Sequence, residues 1–169
     1  MSAAARAALC MLLVSPSYGQ EAGWHYSPLP GEGDRAALGC AAGATASSFT
    51  CLAVRCEDDF TVGLHIHTSR PGGDAGRWRL TIDEEQLDIE AAADGSPYRV
   101  RVTTGAAAVI DRLRYGAVAY LDPLHGPAVS GEAIPLTGSN AAIAGALYYC
   151  APRVPTSSAA SSSGSAGEP

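Results

Sequence analysis

Lysine is absent from this chain, and all 11 of its cationic side chains are arginines. Against them stand 17 carboxylates, giving a formal charge of −6. That balance argues against a protein that tracks nucleic-acid phosphates, which needs a cationic face. Aromatics are scarce at 7% of residues, and no apolar run approaches the roughly 20 residues of a membrane-spanning helix. Mean hydropathy is nevertheless +0.06, too apolar for a wholly disordered chain. The missing lysine and the heavy alanine and glycine load read as coding bias, with no function attached. The length of 169 residues suits one domain.

The N-terminus reads as a secretory signal. Arg6 precedes an apolar stretch, Ala7 to Val14, which Pro16 breaks. Ser17 and Gly19 then place small residues at −3 and −1 of a cut after Gly19, with Ala22 the alternative cut. Residues 1–19 are thus expected to be removed, leaving a periplasmic or extracellular protein without a transmembrane anchor. Neither Leu9-Cys10 nor Leu38-Gly39-Cys40 has the setting of a lipidation site.

Cleavage takes Cys10 and leaves Cys40, Cys51, Cys56 and Cys150. An even set in an exported chain suggests two disulfides, with three possible connectivities. Side chains alternate along a strand, so Cys51 and Cys56 fall on opposite faces of Phe49–Cys56 and pair poorly with each other. The favoured arrangement is Cys40–Cys51 across a hairpin and Cys56–Cys150 tying the last helix to the sheet. The long bridge would remove on the order of 4 kcal/mol of unfolded-chain freedom. No CxxC pair supports a zinc site.

Between signal and tail the pattern is mostly strand. A turn-rich strap, Trp24 to Arg35, precedes a short strand at Ala36–Cys40 and a firmer one at Phe49–Cys56. Phe60, Val62, Leu64 and Ile66 alternate with Thr61, Gly63, His65 and His67, the period of a half-buried strand. Trp78–Ile82, Leu87–Ala91 and Tyr98–Thr103 follow. The period then turns helical at Ala106, Val109, Ile110 and Leu113, with Thr104 as cap and Gly116 as stop. A strand at Ala117–Leu121 and an edge strand at Glu132–Leu136, limited by Pro135, lead to a helix over Asn140–Tyr149 capped by Ser139. Residues 20–153 form the expected domain, and 154–169 a disordered Ser/Ala/Gly-rich tail.

Sites of chemistry are few. His65-x-His67 places two imidazoles on one strand face, a start for copper or zinc binding if a third ligand converges; otherwise that face is simply the polar side of the strand. Asp83, Glu84, Glu85, Asp88 and Glu90 read as a hairpin tip and its solvated flank. Neither a GxSxG nucleophile motif nor the acidic spacing of an EF-hand is present. Arg99, Arg101, Arg112 and Arg114 lie near one strand–helix junction and read as salt-bridging surface. Trp24, Tyr26, Trp78 and Tyr115 are the aromatic candidates for a contact surface.

Leu52-Ala53-Val54-Arg55-Cys56, Val109-Ile110-Asp111-Arg112-Leu113-Arg114, and Ile134-Pro135-Leu136-Thr137-Gly138 leading through Ile143 and Leu147 to Cys150 stand in order. Together they resemble small exported bacterial proteins of the type VI secretion-associated accessory family, with a layout similar to the invasion-associated locus B group. The resemblance spans roughly residues 52–150. It implies a β-sandwich with peripheral helices, no established catalytic constellation, and a Cys56–Cys150 bridge. The expectation is therefore a mainly-β protein, an antiparallel β-sandwich with one or two short peripheral α-helices and two disulfides. Its expected role is a non-enzymatic accessory module that binds a macromolecular partner, most simply a protein, and uses no cofactor. The alternatives are a periplasmic metal-handling protein using His65 and His67, or a hydrolase without a recognisable motif.

Overall fold

The computed structural model describes residues 23–27, 36–95, 98, 100–129, 133–148 and 150. The expected signal (1–19), the tail (154–169) and Arg99 lie outside the described residues. In chain order the elements are β1 (Gly23–Ser27), β2 (Ala36–Cys40), β3 (Thr50–Cys56), β4 (Val62–Thr68), β5 (Gly76–Ile82), β6 (Glu85–Ala93), β7 (Val100–Val102), α1 (Ala106–Tyr115), β8 (Val118–Pro123), β9 (Ile134–Pro135) and α2 (Ser139–Ala146). The mainly-β class, the short helices and both disulfides are as the sequence suggested.

All the strands join one antiparallel sheet in the order β1-β2-β3-β4-β7-β6-β5-β8-β9. The strands form a single sheet and not the two stacked sheets of the expected sandwich; β2, β3 and most of β4 are buried on both faces, while β5, β6 and β8 alternate buried with more exposed residues. The sheet curls until its ends approach: Trp24 N–H donates to the Thr137 carbonyl at 3.2 Å, and Ala42 N–H to the Ala133 carbonyl at 2.9 Å. Pro135 sits on the edge strand β9, where a missing N–H costs the ladder little.

Inside the curl lies the main core. Leu52 and Val54 of β3, Leu64 and Ile66 of β4, and Trp78, Leu80 and Ile82 of β5 face inward with Leu121 and Ile134. β7 is only three residues long and pairs with β4 on one side and β6 on the other. Helix α1 contributes Val109, Ile110 and Leu113 to this core, and α2 adds Ala142, Ile143 and Ala146. Burying side chains of this size contributes about 1.5–3 kcal/mol each.

A second cluster lies on the outer face of β2 and β3, where Leu38, Cys40, Cys51 and Ala53 are covered by Ala44, Phe49 and Tyr98. Cys40 and Cys51 are register partners with Cα atoms 4.1 Å apart, so the disulfide joins two adjacent strands. Cys56–Cys150 spans 94 residues with Cα atoms 5.5 Å apart.

Three local expectations are corrected. Trp24 stands in a strand, not an irregular strap, because its indole lies flat on Gly39 of β2; a Cβ there would come within 2.2 Å of Trp24 Cε2. Thr104 does not cap α1. Gly105, with φ 73°, occupies the cap position while Thr104 Oγ1 accepts a hydrogen bond from Glu90 N–H of β6 at 3.2 Å. Ser139 is likewise inside α2, buried, behind a left-handed Gly138 with φ 83°.

Candidate functional site

The densest polar chemistry is on the outer face of the β3–β4 hairpin. Register places Arg55 opposite Gly63, Ala53 opposite His65, and Cys51 opposite His67, so alternation puts all six residues on one face. Glu57, just past β3, reaches back across Gly63 to bring Oε1 within 2.8 Å of His65 Nε2. Its other oxygen lies 3.2 Å from Arg55 Nε. Gly63 is required for this path, since a Cβ there would lie 1.7 Å from Glu57 Oε1. On the other side of the ring, His65 Nδ1 lies 3.6 Å from Asp94 Oδ2. Tyr98 closes the cluster, its ring 5.7 Å from that of His65 and 6.2 Å from that of His67.

His65 has no exposed surface. The strand's second face is therefore not the solvated polar side that alternation suggested, because the Tyr98 ring packs against it. His67 does share a face with His65, but its ring packs on Phe49 at 4.8 Å. Among the described residues, no group of three or more His, Cys, Asp or Glu side chains is arranged to hold a metal ion. The arrangement cross-links the hairpin to the loop after β6. Both flanking carboxylates turn toward a ring that solvent does not reach.

The exposed counterpart lies at the tip of the same hairpin. Thr61 N–H and Oγ1–H both donate to Asp59 Oδ1, at 3.0 and 2.6 Å. The Thr61 hydroxyl, then its amide, holds the Asp59 carboxyl below the ordinary carboxylate range. This turn forces Phe60 into the left-handed region at φ 63°, with the ring 70% exposed. Beside it, Cys56–Cys150 fixes the segment after α2. A hollow of about 380 Å³ opens there, lined by Val62, Arg114, Ala144, Leu147, Tyr148 and Cys150. Tyr148 is 73% exposed. Arg114 Nε donates to Asn140 Oδ1 at 3.1 Å, and the guanidinium has no carboxylate partner among the described residues. Arg101 Nη2 donates to Thr61 Oγ1 at 3.1 Å, bracing the hairpin tip.

Sequence reasoning placed Phe60 at the head of a buried alternation and Tyr148 inside a helix. The signal that separates Phe60 from Leu64 is its position in the run Glu57-Asp58-Asp59-Phe60-Thr61, whose acids already mark a turn.

The other candidates are accounted for locally. Trp78 is wholly buried, its Nε1–H donating to the Asp74 carbonyl at 2.7 Å, and Trp24 is almost as enclosed. Tyr26 lies across Gly145 of α2, and Tyr115 is 77% exposed. The acidic stretch does form a hairpin tip. Asp83 Oδ1 accepts from Ala117 and Val118 N–H, Arg79 pairs with Asp88 at 2.9 Å, and Arg112 Nε donates to Glu85 Oε2 at 2.6 Å. Hydrogen bonds from these arginines hold the Glu85 and Asp88 carboxyls below their ordinary range. Arg101, Arg112 and Arg114 thus serve separate partners.

No protein-family model matches this chain, and neither a curated protein nor a solved structure matches it.

Proposed function

We propose that this protein is an exported, non-enzymatic accessory module that binds a protein partner through the face formed by Phe60, Val62, Leu147, Tyr148 and Arg114. Phe60 carries the reading. A bulky residue in the left-handed region costs roughly 1–2 kcal/mol, and an exposed ring recovers none of it within the isolated chain. Strain held at a solvent-facing aromatic suits a contact residue, since aromatics supply much of the energy at protein interfaces. The adjoining hollow has apolar walls and, in Arg114, a cation without an acidic partner among the described residues. It fits a protein segment that presents an apolar side chain beside a carboxylate. Export agrees with the two disulfides and with a signal layout at residues 1–19. No helix among the described residues is long and apolar enough to cross a membrane.

Photo-crosslinking amino acids installed singly at Phe60, Tyr148 and, as a control, Tyr120 test this in the exported protein of the native host. Adducts to one protein are expected from the first two positions only. Affinity for that protein should fall at least roughly tenfold on Phe60→Ser or Arg114→Glu, the size of effect typical of interface anchors. Equal labelling from Tyr120, or affinity unchanged in both variants, would reject the assignment.

A further inference from the structure

The two disulfides sit in different environments. Cys40 and Cys51 have no exposed surface and are enclosed by Leu38, Ala44, Phe49 and Tyr98. Cys56 and Cys150 are half-buried, and Cys150 lines the hollow under Tyr148. Thiol–disulfide exchange requires an attacking thiolate to reach a sulfur along the S–S axis, so access discriminates between the bonds. The outer bridge also has acceptors ready for its reduced form. Cys150 Sγ is 3.3 Å from the Thr61 carbonyl oxygen, and Cys56 Sγ is 3.8 Å from that of Glu57. A disulfide sulfur has no hydrogen to donate there, but each thiol would.

Beyond α2, Cys56–Cys150 is the covalent tie that joins the final described residues to the sheet. Leu147 is partly buried against the core and Tyr148 is exposed, with backbone hydrogen bonds from Leu147 N–H to Ile143 O at 3.0 Å, Tyr148 N–H to Gly145 O at 3.2 Å and Cys150 N–H to Leu147 O at 2.9 Å. By contrast α2 itself is anchored by Ala142, Ile143 and Ala146 in the core.

From this asymmetry we infer that Cys56–Cys150 is a selectively reducible bond that controls the proposed contact face, which rests on the reading above. An exported dithiol protein or small dithiol supplies the electrons. One thiolate attacks a sulfur of the bridge, forming a mixed disulfide and releasing the other cysteine as thiolate, which takes up a proton. The second thiol of the reductant then displaces the remaining cysteine and closes its own disulfide. Two electrons pass, giving Cys56 and Cys150 thiols and one oxidised dithiol. The Leu147–Cys150 turn loses its tether, and the hollow loses the wall made by Leu147 and Tyr148. The exchange leaves Cys40–Cys51 and the core untouched, and the fold has to outlast the loss of the long bridge's restriction on the unfolded chain.

The test is graded reduction of the folded, exported chain with dithiothreitol, quenched by iodoacetamide and mapped by mass spectrometry. Hydrogen exchange is followed on the same samples. Alkylation of Cys56 and Cys150 is expected first, with Cys40–Cys51 intact. Amides of Tyr148 and Cys150 should then exchange at least roughly tenfold faster while those of β5 and β8 stay protected. A Cys56→Ser/Cys150→Ser variant should reproduce that exchange pattern without reductant. Equal or earlier loss of Cys40–Cys51, global loss of protection on reducing the outer bridge, or unchanged exchange at Tyr148 and Cys150 would each overturn the inference. Neither readout needs a partner, so failure of the binding assignment is seen separately, in the crosslinking experiment.

Discussion

Replacing Gly63 by alanine isolates the buried Arg55–Glu57–His65 arrangement with a single methyl group. The new Cβ would stand 1.7 Å from Glu57 Oε1 and 2.7 Å from His65 Nε2, while the backbone at Gly63 has an ordinary negative φ. The carboxylate is the end of a mobile side chain and must swing outward, giving up its 2.8 Å contact with His65 and its 3.2 Å contact with Arg55. Hydrogen bonds to charged groups are worth about 1.5–3 kcal/mol, and alanine in a strand interior recovers about 0.5–1 kcal/mol of the glycine's chain entropy. The net expected loss is therefore about 1–2 kcal/mol. With a urea m-value of about 1–3 kcal/mol/M, the midpoint should fall by roughly 1 M. Unfolding of the oxidised protein, followed through the fluorescence of Trp24 and Trp78, gives that number directly. The decisive comparison is the same substitution in a Glu57→Ala background, where only the His65 ring remains in the way. There its cost should drop to less than about half, the non-additivity expected of groups in contact. Identical costs in the two backgrounds would mean that Glu57 does not cross Gly63, and the account of the cluster would be wrong.

Three further outcomes follow from other parts of the molecule. Because the Asp59, Glu85 and Asp88 carboxyls are held below their ordinary range, their contribution to stability is present above the unfolded carboxylate pKa and disappears as pH falls through the lower folded values. Urea midpoints measured from neutral pH down to about pH 3 should decline, and Glu85→Gln with Asp88→Asn should flatten that decline. Asp74 is buried and accepts from Thr68 N–H at 3.0 Å and from the Thr68 hydroxyl. Asp74→Ala should cost about 1–3 kcal/mol by stranding that amide, whereas Asp74→Asn, which retains an acceptor, should keep more than half of the stability at stake; equal losses in chemical denaturation would count against this. Gly39→Ala drives a methyl into the Trp24 indole, so a loss of about 1–3 kcal/mol and a red shift of tryptophan emission are expected, and an unshifted spectrum would show that the indole does not rest there.

Much of the frame was legible in the residues. The alternation Val62, Leu64, Ile66 and the helical spacing Val109, Ile110, Leu113 located β4 and α1, since each period reports which side chains share a face. The same alternation separated Cys51 from Cys56 and pointed to the two disulfides found. What it left open was which residue waits outside the strand. Thr104 and Ser139 have the chemistry of helix caps, yet Thr104 has a better use against Glu90 of β6, and Ser139 is drawn into the buried face of α2. A hydroxyl's partner is decided by three-dimensional neighbours, which local propensity does not contain.

The sequence by itself determined most of the strand content, the favoured pairing of the four cysteines, the signal-like N-terminal pattern and the net acidic charge, because each depends on periodicity, spacing or composition. Tertiary structure alone decided that the strands form one sheet curled until β1 and β9 approach, and that both helices pack into the core that this sheet encloses. It also decided the fates of His65 and Phe60, which sit five residues apart on one hairpin. One is enclosed beneath Tyr98 between Glu57 and Asp94, and the other is turned out to solvent beside the Cys56–Cys150 bridge. Burial is set by chain segments distant in sequence that fold over a strand, and no period within the strand records their arrival.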